Sequence, residues 1–235
     1  MRLLNATRLL LTIQMRARFL HVYLGVTLVT VVVVRGLLPE SWHAIVVPVA
    51  LLGEYGTMSV FMVAALRYLE RLEGSAAALI VTPLKHREHV AAMILSSAVV
   101  ATPAGLLVHA GILGLDVRTL LLVLPLFVTA CLAGSVGLIL ASRHAEFTRF
   151  LMGSIPVVTI FSLPFLSFFD LTPRYAFVWL PWDAALFSFE NLARTTPEAA
   201  PYVFRLLELV LFGAAAFLWA ERAFHMRLFD RAEAV

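Results

Sequence analysis

The chain has 235 residues, 61% apolar and 14% charged, against about 45–50% and about 25% in soluble domains. With a mean hydropathy of +0.92 it carries too few polar groups to cover a globular surface, which excludes a soluble enzyme or a conventional DNA-binding domain. Lys and Arg number 18 against 15 Asp and Glu, an excess too small to imply a nucleic-acid partner, and the one cysteine, Cys131, excludes an internal disulfide.

Residues 1–18 come first. Arg2, Asn5, Arg8, Thr12 and Arg16 recur at spacings of 3, 3, 4 and 4 and form one stripe on a helix. This predicts an amphipathic interfacial helix. It is not a cleavable signal, which would show an apolar core of about 7–15 residues and a small-residue cleavage site. The stripe fits a basic lipid anchor and a helix docked on a partner protein equally well.

A bilayer-crossing helix takes about 20 mostly apolar residues. That length predicts six spans, at 19–38, 44–66, 90–114, 119–141, 150–169 and 201–222. The second holds one charge, Glu54, and the third, fourth and fifth hold none. The sixth carries Arg205 and Glu208, three residues apart, so they can share a face and partly neutralise each other. Pro48, Pro103, Pro125, Pro156 and Pro164 fall inside spans, where proline loosens a helix without marking a site.

Six spans put both termini on one side. Thirteen basic residues lie on that side, and five (Arg35, Arg118, Arg174, Arg194 and Arg205) lie on the other. The asymmetry predicts cytoplasmic termini in a multi-pass protein of the inner (cytoplasmic) membrane. Residues 170–200, on the outer side, are too aromatic for a free loop and too broken by Pro173, Pro181 and Pro197 for a seventh span. They read as short re-entrant or interfacial helices, the alternative being an ordinary surface loop.

Several chemistries are missing. The single lysine, Lys85, sits in PLKHRE without glycines, so no phosphate-binding P-loop exists. His86 and His89 flank Glu88 but read as a solvated basic cluster with Lys85 and Arg87. Ser135, Ser154 and His109 lie in spans without a nucleophile elbow. Gly134, Ser135 and Gly137 read as a small-residue packing surface. Glu54, in LLGEYGTMS, is an ionisable group at membrane depth. It marks either a transport path, with Tyr55, Thr57 and Ser59 as further polar points, or a helix-packing contact.

The cytoplasmic stretch 67–89 is the most informative. Charges at Arg67, Glu70, Arg71 and Glu73 give way at Gly74 and Ser75 to an apolar run, Ala76 to Val81, closed by Thr82 and Pro83. Proline suits the first turn of a following helix. The short apolar helix is unstable alone in water and needs a groove, from a partner or from its own bundle.

The pattern E-R-x-E-G, a short apolar helix, T-P-L and a charged helix start is carried by Glu70, Arg71, Glu73, Gly74, Thr82, Pro83, Leu84 and Glu88. It resembles the permease subunits of type-2 ABC exporters, most of all the small fluoroquinolone- and multidrug-export permeases. The resemblance implies one all-α transmembrane domain over residues 1–235, with a coupling helix seated in a cleft of a separate ATPase. It implies two ATPase subunits, which hold the ATP and Mg, no cofactor on this chain, and a second permease copy or paralogue. The implied ATPase contact is Glu70, Arg71, Glu73, Gly74, Ala77, Leu79, Ile80, Thr82, Pro83 and Leu84. The implied pathway runs between permease copies along spans one, two and five, and suits a small amphipathic drug or a lipid. The other readings are an intramembrane enzyme, for which no convergent nucleophile and base are found, and a non-transporting scaffold or channel component.

Overall fold

The computed structural model describes residues 2–73, 85–194 and 199–232, with side chains to residue 225. All regular elements among the described residues are helices. In chain order they are α1 (Arg2–Arg16), α2 (Phe19–Leu37), α3 (Glu40–Ala50), a π-helical turn (Leu51–Gly56), α4 (Thr57–Leu72), α5 (His86–Leu113), α6 (Val117–Leu121), α7 (Val123–Arg143), α8 (Phe147–Ser162), α9 (Pro164–Phe168), α10 (Pro181–Arg194) and α11 (Ala199–Ala232). Six stretches are long and apolar enough to cross a bilayer: Phe19–Leu37, Glu40–Leu72, His86–Leu113, Val117–Arg143, Phe147–Phe168 and Ala199–His225. These are the six expected spans. The second is the most extended, because the helix runs on through its charged last turns to Leu72.

The fourth span is the hub. Its helix α7 packs against α4, α5 and α11. Without a hydrophobic drive between helices in lipid, close backbone approach supplies the attraction, and small residues permit it. A Cβ on Gly137 would run into the backbone of Val60, with the Val60 carbonyl carbon and Cα only 2.9 Å away. A Cβ on Gly134 would sit 3.0 Å from a Val63 methyl. The small-residue reading of this stretch therefore holds, and its partner is α4.

Proline shapes the hub's other end. Pro125 has no N–H, so the carbonyl of Leu121, four residues earlier, loses its helical donor. The chain breaks into α6 and α7 there, and the Tyr202 hydroxyl of α11 donates to that carbonyl at 2.9 Å. Gly114 (φ 96°) ends α5. Asp116 then caps α6 by accepting from the Thr119 N–H at 3.2 Å.

Helix α1 turns into the first span at Arg18 and packs on α5. Leu10 and Gln14 of α1 are buried, and Gln14 Nε2 donates to Ser96 Oγ at 2.9 Å. Neither alternative read from the sequence, a lipid anchor or a partner protein, includes this contact: the buried face of α1 lies on its own bundle. Its arginine stripe stays exposed between Leu4 and Leu9, which are also exposed, an arrangement suited to a lipid interface.

Within the 170–200 segment, residues 170–180 form largely exposed turns and α10 follows them. Most of α10 is buried, including Ala184, Ala185, Phe189 and Leu192. It packs on α11 and α3. Trp182, at its start, stacks on Phe161 of α8 with ring centroids 3.6 Å apart.

Replacing Gly137 with Ala is expected to destabilise the fold by about 1–3 kcal/mol, the usual cost of overpacking. Gly25→Ala, where no atom lies within 4 Å of the new Cβ, should leave stability unchanged. Thermal unfolding of the two purified variants, followed by size-exclusion, checks the contrast.

Candidate functional site

Two sites emerge, one at membrane depth and one where the 67–89 stretch leaves the bundle. The first is a groove of about 430 Å³ between the first and second spans. One wall is Val29, Thr30, Val33 and Val34 of α2, and the other is Val46, Val49, Ala50, Gly53 and Glu54. The helical ladder of the second span is weak here, because Pro48, Gly53 and Gly56 interrupt it in quick succession. The backbone widens into the π turn Leu51–Gly56, a device that recurs at functional sites. Glu54 lies on that turn.

The Glu54 carboxyl faces the Thr30 hydroxyl, with Oγ1 2.9 and 3.0 Å from its two oxygens. The sequence expectation rests on charge at membrane depth and leaves out Thr30. The available signal was weak, since Thr30 is one of two threonines, with Thr27, set among the valines and leucines of the neighbouring span. Tyr55 and Ser59 face the other way, into the bundle. The Tyr55 hydroxyl donates to Thr27 Oγ1 at 3.1 Å, and the Ser59 hydroxyl to the Tyr55 carbonyl at 2.9 Å. Thr57 is half-buried. Glu54 is thus the one of the four predicted polar points that lines the groove.

The second site is a buried charge cluster. Arg67 Nη1 lies 3.3 Å from Glu70 Oε2, and His89 Nε2 lies 2.8 Å from Glu70 Oε1. Arg67, Glu70 and His89 are only 4%, 9% and 6% exposed. The Arg67 guanidinium also sits 4.4 Å over the Phe224 ring. The cluster therefore ties together the second, third and sixth spans. Beside it, Arg71 Nη1 donates to the His144 carbonyl at 2.7 Å. The Tyr68 hydroxyl reaches the same carbonyl at 2.9 Å. Gly153 lets the His144 ring lie against α8, since a Cβ there would meet Nε2 at 2.5 Å.

Glu70, one of the implied ATPase-contact residues, is buried, with Arg67 and His89 beside its carboxylate, and Arg71 is half-buried with its guanidinium on the His144 carbonyl. One expectation is corrected: the His86–His89 pair is not a solvated cluster. His89 is buried on Glu70, while the His86 ring meets His225 edge-on at 5.7 Å. Leu72 (83% exposed) and Glu73 remain on the surface at the end of α4. Gly74, Ala77, Leu79, Ile80, Thr82, Pro83 and Leu84 lie outside the described residues. Past them, Glu88 caps the start of α5 by accepting from the Lys85 N–H at 3.0 Å.

A further charged group lies at the opposite end of the bundle. Arg205 bridges Glu208 at 2.8 Å and Asp183 of α10 at 3.3 Å. The sequence foresaw the Arg205–Glu208 pair, but not Asp183, because that contact closes only when α10 folds back on α11. Burial pushes the Asp183 carboxyl above its usual range, and the adjacent Arg205 guanidinium partly offsets this.

Comparison with known proteins adds breadth. A family model described as the fluoroquinolones export permease protein family matches residues 1–232. Two relatives, each called a fluoroquinolones export permease protein, come from Mycobacterium tuberculosis strains CDC 1551 / Oshkosh and ATCC 25618 / H37Rv. Each is 28% identical over 190 residues, covering 79% of this chain and 78% of the relative.

Removing one member of a buried ionic group leaves the others uncompensated, at about 3–5 kcal/mol. Glu70→Ala should therefore lower stability by that amount. Glu73→Ala, on the exposed rim, should change it by less than about 0.5 kcal/mol. Unfolding midpoints of the two purified variants test the difference.

Proposed function

Because the chain belongs to the fluoroquinolones export permease family, we propose that it is the membrane subunit of an ATP-driven exporter of small amphipathic molecules, powered by separate ATPase chains. It is a multi-pass membrane permease of six spans. The observation that carries the finer reading is the family match across residues 1–232, which takes in every span and the 67–89 stretch together. The absence of a P-loop from the sequence supports a division of labour in which ATP and Mg reside on partners.

In this reading two ATPase subunits serve two permease copies, or this chain and a paralogue, with both termini in the cytoplasm of the inner membrane. The ATPase surface runs from Glu73 through Gly74, Ala77, Leu79 and Ile80 to Thr82, Pro83 and Leu84. Glu70 and Arg71 act one step behind it as braces. A push delivered at Glu73 reaches the Arg67–Glu70–His89 cluster within one helical turn. From there it passes to the third and sixth spans, and through Arg71 to the 144–146 turn and the fifth. ATP binding can shift such a bundle between inward- and outward-facing states only by binding one of them more tightly, and the rigid cluster makes the bundle respond as a unit.

The groove between the first two spans supports an apolar pathway with a single polar feature, Glu54 beside Thr30. Its walls suit the hydrophobic part of a drug or lipid and exclude a highly charged solute. Tyr55, Thr57 and Ser59 shape the turn behind it.

Glu73→Arg or Gly74→Val should leave the chain inserted at normal levels, yet lower ATP-dependent export by at least about tenfold, within the usual range of a coupling energy. Vesicles containing the permease and its co-purified ATPase, loaded with a fluorescent fluoroquinolone, provide the measurement. Export at the normal rate in both variants, or failure of any ATPase to co-purify, would overturn the reading.

A further inference from the structure

Acids inside this bundle come with cations. Among the described residues, Glu70, Asp183, Glu190 and Glu208 each pair with an arginine. Glu54 departs from that rule. It lies roughly midway along the second span, Glu40–Leu72. Among the described residues it accepts hydrogen bonds from the Thr30 hydroxyl alone, and it forms no ion pair. A hydroxyl carries one proton and donates to one carboxyl oxygen at a time. Thr30 thus orients the carboxyl without cancelling its charge, and an ionised group at membrane depth is costly until a partner cancels it.

The chain does not supply the missing cation. The middle stretches of the six spans contain no lysine or arginine, so a second copy packed alongside has none to present at this depth. The site is not built for a hard metal ion either. Ca²⁺ takes about 6–8 oxygen ligands and Mg²⁺ about six, whereas the oxygen-bearing side chains of the groove are Glu54 and Thr30. The rest of the lining is valine, alanine and glycine. The volume, about 430 Å³, falls within the range of small-molecule sites, about 300–1,000 Å³. Val29 and Val33 on its wall are exposed, so the groove opens on the flank of the bundle, where a molecule dissolved in lipid can enter. A ligand that suits it is apolar over most of its surface and carries one positive charge.

We propose that the groove selects amphiphilic cations, holding the positive group against the Glu54 carboxylate and the apolar body along the valine walls. This deepens the reading of the groove as the export pathway, and its place in transport rests on that reading. It names positive charge as what the pathway recognises and Glu54 as the residue that sets the preference.

The test uses the full chain in phosphatidylcholine nanodiscs without ATPase, and two fluorescent probes of one shape. One is a dansylamide bearing an ethyl-trimethylammonium group, a permanent cation. The other is its neutral carbon isostere, with tert-butyl in place of trimethylammonium. Fluorescence enhancement in empty nanodiscs is subtracted. Saturable binding is expected for the cation, at least about tenfold tighter than for the isostere. Glu54→Gln, which keeps an acceptor for Thr30, should erase the preference by weakening the cation about tenfold and leaving the isostere unchanged. Gly53→Phe should abolish binding of both probes, since no atom lies within 4 Å of a Cβ at Gly53 and the ring enters the groove without displacing a neighbour. Leu115→Trp, on an 85% exposed residue outside the groove, should bind as the unaltered chain does. Absence of saturable cation binding, equal affinity for the two probes, a preference that survives Glu54→Gln, or unaltered binding in Gly53→Phe would overturn the proposal. A proton held on Glu54 in place of a ligand predicts the equal affinities. Because no ATPase is present, failure here leaves the exporter reading standing, and a failed export assay leaves the cation-selective groove standing.

Discussion

Hydrocarbon solvates no ion, so each charge this chain carries into or beside the membrane must bring its own partner. Among the described residues, three of the places that meet it shape the bundle. At membrane depth Glu54 faces the Thr30 hydroxyl. At the end bearing the termini Glu70 holds Arg67 and His89. At the other end Arg205 holds Glu208 and Asp183. Each set joins residues from different elements, so satisfying the charge also fixes which helices are neighbours. An ionic group in lipid acts here as a locating pin more than as a source of stability, since desolvation offsets much of its attraction.

Between the pins the bundle is held by fit. The fourth span approaches the second to backbone contact at Gly137 and Val60. The pieces that depart from regular helix, the π turn at Leu51–Gly56 and the break before Pro125, each serve a contact. The π turn carries Glu54 on the groove wall. The break frees a carbonyl that Tyr202 takes up. Irregular backbone is costly in lipid unless another group satisfies it, and at Leu121 the donor is visible.

The fold was legible in the sequence because hydropathy over about 20 residues is a strong, local signal. All six spans were recovered from it, as was the Arg205–Glu208 pair, which needs only helical spacing. Contacts that cross between elements were not legible. Nothing in the sequence near Glu70 indicates that His89, beyond a long intervening stretch, turns inward to meet it. The same holds for Asp183 and Arg205, and for Thr30 and Glu54. The groove was half-read: its acid was identified and its hydroxyl partner missed. Tyr55 and Ser59, adjacent in sequence to Glu54, turned out to face the interior, because successive helical residues point about 100° apart.

The fifth span draws little support from the hub, yet both of its ends are fastened. Near its start Phe150 is fully buried and meets the Phe61 ring edge-on, beside the turn gripped by Tyr68 and Arg71. Toward its far end Phe161 lies flat on Trp182. A helix secured at its extremities and slack between them is a connecting rod. Axial movement at the joint on the side of the termini would arrive at α10, at the opposite end of the bundle, without having to deform the four-helix centre.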